Sequence, residues 1–145
     1  MSVTNFLNNS EEKEILEAIK IAEQNTSGEI RVHIESECKT EVLIRAEKVF
    51  NKLKMHKTEL QNGVLFYIAS DSKHFAIIGD TGINQVVPNN FWESTKNLVL
   101  DYFSKGEMAK GISKGIIMAG EQLKKHFPSQ ENDINELSDE ISIGK

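Results

Sequence analysis

A chain of 145 residues is long enough for one domain with a substantial core, and its 22 acids against 17 lysines and arginines give a net charge of −5. The charge is uneven: residues 129–145 carry five acids and one lysine, which leaves residues 1–128 at about −1. A near-neutral body with an acidic tail lacks the basic stripe of a nucleic-acid binder, and no apolar run approaches the roughly 18 residues that would predict membrane insertion.

Asn9 with Glu12 reads as a capping box, with Ser10 as the alternative cap. Ile15, Ile19 and Ala22 then recur at helical spacing and predict an amphipathic helix over 11–24, closed by Asn25-Thr26-Ser27-Gly28. Residues 29–35 alternate. Ile30, Val32 and Ile34 face one way and Arg31, His33 and Glu35 the other, as in a strand with one wet or partly covered face. Cys38 follows without a base nearby in the sequence, so a small buried thiol is the simpler reading than a nucleophile. A helix over 41–53 carries Leu43, Ala46, Phe50 and Leu53 on one face.

The stretch 62–82 organises the rest. Residues 64–69 are apolar without alternation, the mark of a central strand buried on both faces. The polar turn Ser70-Asp71-Ser72-Lys73 leads to a second run, 75–78, so the pair predicts a hairpin. Strand, helix, strand is a βαβ unit with parallel strands and a right-handed crossover. Residues 83–88 read as a loop or short extended piece. A helix capped at Asn89 or Asn90 carries Phe91, Thr95, Leu98 and Tyr102, and a last helix runs over about 107–126. Gly111, Gly115 and Gly120 lie near its apolar stripe, each costing roughly 1 kcal/mol of helix propensity. They predict that something packs very close. The expected domain is residues 1–128, an α/β fold: a three-layer, Rossmann-like α/β/α sandwich with a mixed sheet. Residues 129–145 are too polar to offset the entropy of ordering and predict a disordered acidic tail.

This topology makes a geometric claim. Parallel pairing puts Glu29 beside Asn62-Gly63, and the antiparallel return brings Asp80 and Thr81 to the same level. Glu29, Asn62, Asp80 and Thr81 then gather at one sheet edge, with Glu93 as an outer candidate. Carboxylate, amide and carbonyl oxygens suit Ca2+ or Mg2+ rather than zinc. A structural alternative stays open, in which Asp80 caps a turn, Asn62 is a left-handed turn residue and Glu29 is a solvated strand end. The histidines His33, His56, His74 and His126 show no metal spacing and read as structural or solvated. Glycine-rich phosphate-loop motifs are absent.

The segments Ser27-Gly28-Glu29-Ile30-Arg31-Val32, Asn62-Gly63-Val64-Leu65 and His74-Phe75-Ala76-Ile77-Ile78-Gly79-Asp80, with Phe91-Trp92 and Gly106-Glu107-Met108-Ala109-Lys110-Gly111-Ile112, resemble the TPM domain. That family is named for a thylakoid-lumen protein, a photosystem II repair protein and a modulator of acetylcholine receptors. The resemblance spans about residues 11–127. It implies an α/β/α sandwich with a divalent-cation site at a sheet edge, often for Ca2+, and acid phosphatase activity in some plant members. Glu29 matches the family's strand-opening acid and Asn62 the Asn of its Asp-Asn-Gly motif. Gln61 replaces the preceding Asp. Gly79-Asp80-Thr81-Gly82-Ile83-Asn84 replaces the usual Gly-Tyr-Gly-Leu-Glu. This variant resembles the family's soluble branch.

The expectation is a cytoplasmic, monomeric, cation-binding domain with a binding or regulatory role, alone or with an unidentified protein partner. The single cysteine and the first nine residues, which lack a signal peptide's basic and apolar regions, favour that compartment. A metal-assisted phosphatase acting on phosphomonoesters is one alternative, and an interaction module using the acidic tail is another.

Overall fold

A computed structural model describes residues 7–129 and 140–144. The elements are α1 (Asn9–Asn25), β1 (Glu29–Glu35), α2 (Val42–Lys52), β2 (Gly63–Ala69), β3 (His74–Gly79), α3 (Thr81–Asn84), α4 (Glu93–Ser104), α5 (Met108–Leu123) and β4 (Ser142–Ile143). A 3-10 turn, Met55–Lys57, leads from α2 towards β2. The sheet order is β3-β2-β1-β4. β1 pairs in parallel with β2, from Glu29↔Gly63 to Glu35↔Ala69, and β3 returns antiparallel to β2. The parallel pairing of the βαβ unit and the hairpin are therefore as the sequence predicts.

β2 is buried along its whole length because its two faces serve different layers. Val64, Phe66 and Ile68 join the core formed with α1, α4 and α5. Leu65, Tyr67 and Ala69 join a smaller core under α2, with Ala46, Val49, Phe50 and Met55. Each fully buried large apolar side chain contributes about 1.5–3 kcal/mol. The result is a mixed sheet between two helical layers.

The α5 glycines mark close approaches. A Cβ on Gly120 would sit 2.8 Å from the Ala22 Cα of α1, and one on Gly111 would sit 2.7 Å from the Tyr102 Cβ of α4. Gly115 faces Val99 and Phe66. Gly120→Ala is therefore expected to destabilise, although alanine is the better helix former by about 1 kcal/mol. Overpacking against backbone costs roughly 1–3 kcal/mol. Urea unfolding should show a lower midpoint at unchanged slope; a raised midpoint would mean that α1 and α5 separate easily.

Three local expectations need correction. The capping box is Asn8 with Glu11, one residue earlier, at 2.8 and 3.0 Å. The expected loop over 83–88 begins inside a short helix, Thr81–Asn84, because Asp80 caps it and Ile83 is buried. A helix of four residues is too short for its periodicity to be seen in sequence. α4 starts at Glu93 rather than near Asn89, and its N-cap position, Trp92, makes no side-chain cap bond. Of the two states expected for the polar face of β1, wet or partly covered, the structure shows the covered one: His33 and Glu35 are buried, with Arg45 of α2 over Glu35.

The predicted disordered tail is also different where it is described. Ser142–Ile143 adds a strand to β1, held by main-chain pairing and by Ser142 against His33. The rest of that prediction, residues 130–139 and Lys145, lies outside the described residues.

Candidate functional site

The predicted site residues meet through the backbone. Glu29 lies opposite Gly63, and its N–H donates to the Asn62 carbonyl at 3.3 Å. Asp80 N–H donates to the Gly63 carbonyl at 2.9 Å, and Gly82 N–H to the Gln61 carbonyl at 2.9 Å. The Thr81 hydroxyl donates to Gln61 Oε1 at 2.8 Å. A Cβ on Gly82 would meet the Leu60 and Gln61 carbonyls, so only glycine lets α3 start this close to the strand. Segments 27–29, 61–63 and 79–82 thus share one end of the sheet.

The side chains divide. Glu29 and Asn62 are buried, and Asn62 Nδ2 is 3.5 Å from Ser27 Oγ. Asp80 and Thr81 line a cavity of about 470 Å3 with Phe50, Asn51, His56 and Asn84, which Glu29 and Asn62 do not line. Asp80 Oδ1 caps α3 by accepting from Thr81 N–H at 2.7 Å. Its Oδ2 is buried without a hydrogen-bond partner among the described residues. Such an oxygen is costly unless a proton, a water or a cation meets it. The structural alternative holds only in part. Asp80 does cap, but Gln61 rather than Asn62 is the left-handed residue (φ 50°), and Glu29 is not solvated. Glu93 is exposed and does not line the cavity. Among the described residues, no three His, Cys, Asp or Glu side chains group as metal ligands. A cation in the Asp80–Thr81 cavity would therefore draw on Asp80, Thr81 and main-chain oxygens, because Glu29 and Asn62 do not line it. Oxygen donors of low total charge fit a weakly held hard cation.

A second constellation was not foreseen. Glu35 accepts from Arg45 Nε and Nη2, both at 2.8 Å, from His33 Nε2 at 2.9 Å and from the Tyr67 hydroxyl. These four donors fill the acceptor positions of one carboxylate. Burial alone would raise the Glu35 pKa, but the bonds from Arg45, Tyr67 and His33 outweigh it and hold the group at about 2. Burial pushes the Tyr67 phenol up, helped by Glu35, and pushes His33 below its ordinary value against the pull of Glu35. The ionised carboxylate has no proton to give, so Nε2 of neutral His33 carries the hydrogen. Nδ1 then accepts from the Ser142 hydroxyl at 2.9 Å. Glu35 is saturated, which makes it a structural hub rather than a free base. Sequence alternation left this face open between wet and covered because it cannot distinguish water from a polar second layer. The available signal was Tyr67: a tyrosine in an otherwise apolar buried run needs a partner for its hydroxyl.

The fold and its edge can now be compared with known proteins. A family model described as the TPM domain matches residues 2–122. The chain belongs to the TPM domain family. A solved structure agrees along nearly the full length of this TPM domain: the NMR structure of BA42 protein from the psychrophilic bacterium Bizionia argentinensis sp. nov. It has 50% sequence identity, a TM-score of 0.91 and 96% coverage of each chain. Comparison with curated proteins gives no match. Among the described residues of this TPM domain, no helix is long and apolar enough to cross a membrane.

Proposed function

We propose that this TPM domain binds a hard divalent cation, Ca2+ or Mg2+, at the sheet edge of Glu29, Asn62, Asp80 and Thr81, and that its role is binding or regulation. The observation that carries this reading is the buried Asp80 Oδ2, which has no partner among the described residues, at the end of the sheet where the Glu29 and Asn62 segments converge. Membership of the TPM family supports it. With few charged donors, the dissociation constant falls at the weak end of the range for Ca2+ modules, roughly 10⁻⁴–10⁻³ M.

Titration of metal-free protein with Ca2+ and Mg2+, followed by amide NMR, tests this. Saturable shifts confined to residues 28–29, 62–63 and 79–82 are expected. Flat shifts there up to 10 mM cation, on the order of ten times the weakest expected constant, would remove the proposal.

A phosphatase reading has one observation in its favour. The cavity beside Asp80 has room for a phosphomonoester, and Glu47 and His56 line it as acid–base groups. A bound cation would supply polarisation of a phosphoryl oxygen. The chain's own residues would shape the cavity and hold the ester's apolar part against Phe50 and Leu43. Hydrolysis of a generic phosphoester that collapses in Asp80→Ala is the expected result on this reading. Hydrolysis unchanged by the substitution would trace to a contaminant.

A further inference from the structure

Among the described residues, β4 rests on the outer edge of β1 through two paired positions, His33↔Ser142 and Ile34↔Ile143, and the Gly144 N–H, which donates to the Ile34 carbonyl at 2.8 Å. Yet the seat is selective at three places. Ile141 packs against the main core. The Ser142 hydroxyl reaches His33 Nδ1. Gly144 lies against side chains that cannot yield: a Cβ there would come 2.6 Å from Glu35 Oε1, 2.8 Å from Glu35 Cβ and 3.0 Å from His33 Nε2. Arg45 and Tyr67 hold Glu35 in place. Between the two selected residues, Ile143 is partly exposed, so its identity is free.

The seat therefore reads a pattern, apolar–Ser–x–Gly. Main-chain bonds supply the attraction and alternate side chains supply the discrimination, which is the logic of β-strand addition. The connection to the body is longer in residues than the span requires. Pro128 bridges Thr26 before the start of β1, and Ser142 pairs seven positions further along, at His33. That span is about 23 Å of strand. The chain uses fourteen residues to cover it, from Pro128 to Ser142. An edge pairing this short belongs to the readily opened end of local stability.

We propose that the His33–Glu35 edge of β1 is a docking site for an extended segment of another polypeptide with the pattern apolar–Ser–x–Gly, which residues 141–144 of the chain occupy in cis. The tail is then an internal competitor whose release uncovers the edge. This inference is independent of the cation reading.

The test uses the full chain carrying Gly144→Val, in which the new side chain meets Glu35 and empties the seat without altering β1. The probe is a fluorescein-labelled peptide of residues 139–145, Asp-Glu-Ile-Ser-Ile-Gly-Lys. The variant is expected to bind it saturably and at least about tenfold more tightly than wild type, whose tethered tail competes at high effective concentration. Amide shifts should fall on residues 30–35. The same peptide with valine in place of its glycine should not bind. Ile141→Asp, which removes the tail's apolar anchor and also leaves β1 intact, should reproduce the result if Gly144→Val folds poorly. Absence of binding by a natively folded variant would overturn the proposal. So would equal binding of both peptides, or shifts outside the β1 edge.

Discussion

Glu35→Ala is expected to lower stability by roughly 3–5 kcal/mol, the cost of removing one member of a buried ionic network. The loss has a clear origin. Arg45 keeps a charge with no counter-ion, and the buried Tyr67 hydroxyl and His33 Nε2–H lose their acceptor. The pH dependence identifies the charge as the cause. Glu35 has an ordinary pKa of 4.5 and a folded value of about 2. Its contribution is therefore complete above pH 4.5 and is lost as pH falls towards 2. The shift corresponds to about 3 kcal/mol. His33 acts in the same direction from higher pH. Its folded pKa lies below 6.5, so acidification through that range also favours the unfolded chain. Urea unfolding of wild type and Glu35→Ala across this range should show a gap that is full at pH 6 and narrows below pH 4.5. A constant gap would mean that packing, not ionisation, makes Glu35 important.

Asp80→Asn is expected to separate folding from cation binding. Asparagine caps a helix as well as aspartate does, so α3 keeps its start. The substitution removes a buried carboxylate oxygen without a partner, and the metal-free variant should match or exceed wild type in thermal stability. Its response to cation should be lost. At a concentration near 1,000 times the dissociation constant, wild type gains about 4 kcal/mol, and at the millimolar concentrations accessible here the gain is nearer 1–2 kcal/mol. Thermal melts with and without 10 mM Ca2+, on the order of ten times the weakest expected constant, should therefore show a shift in wild type and none in Asp80→Asn. A variant that still responds would place the cation elsewhere. A metal-free variant that is clearly destabilised would give Asp80 Oδ2 a structural partner instead.

Much of the architecture was legible because local pattern and global role agree. The unbroken apolar run at 64–69 needs cover on both faces, and helical stripes on either side provide it. The alternation at 29–35 fixed the strand to the residue, and the α5 glycines announced close packing before its partners were known. The convergence of Glu29, Asn62 and Asp80 followed from strand direction alone, since parallel then antiparallel pairing returns three segments to one level. Where function begins, local pattern stopped being enough. Asp80 Oδ2 stands out only when its surroundings are known, because a missing partner has no sequence signature. Arg31, His33 and Glu35 alternate like solvent-facing residues, and it is the packing of α2 and β4 that turns two of them into a buried network.

The tail divides in the same way. The sequence by itself determined that residues 129–145 are acidic and poor in apolar surface, and that no core of their own is possible. It equally determined the α/β order of the body, because burial of periodic apolar faces leaves few solutions. Only the tertiary structure decided that Ser142 meets His33 and that Gly144 fits against Glu35. These contacts join residues more than a hundred positions apart, and no periodicity within a short window records them.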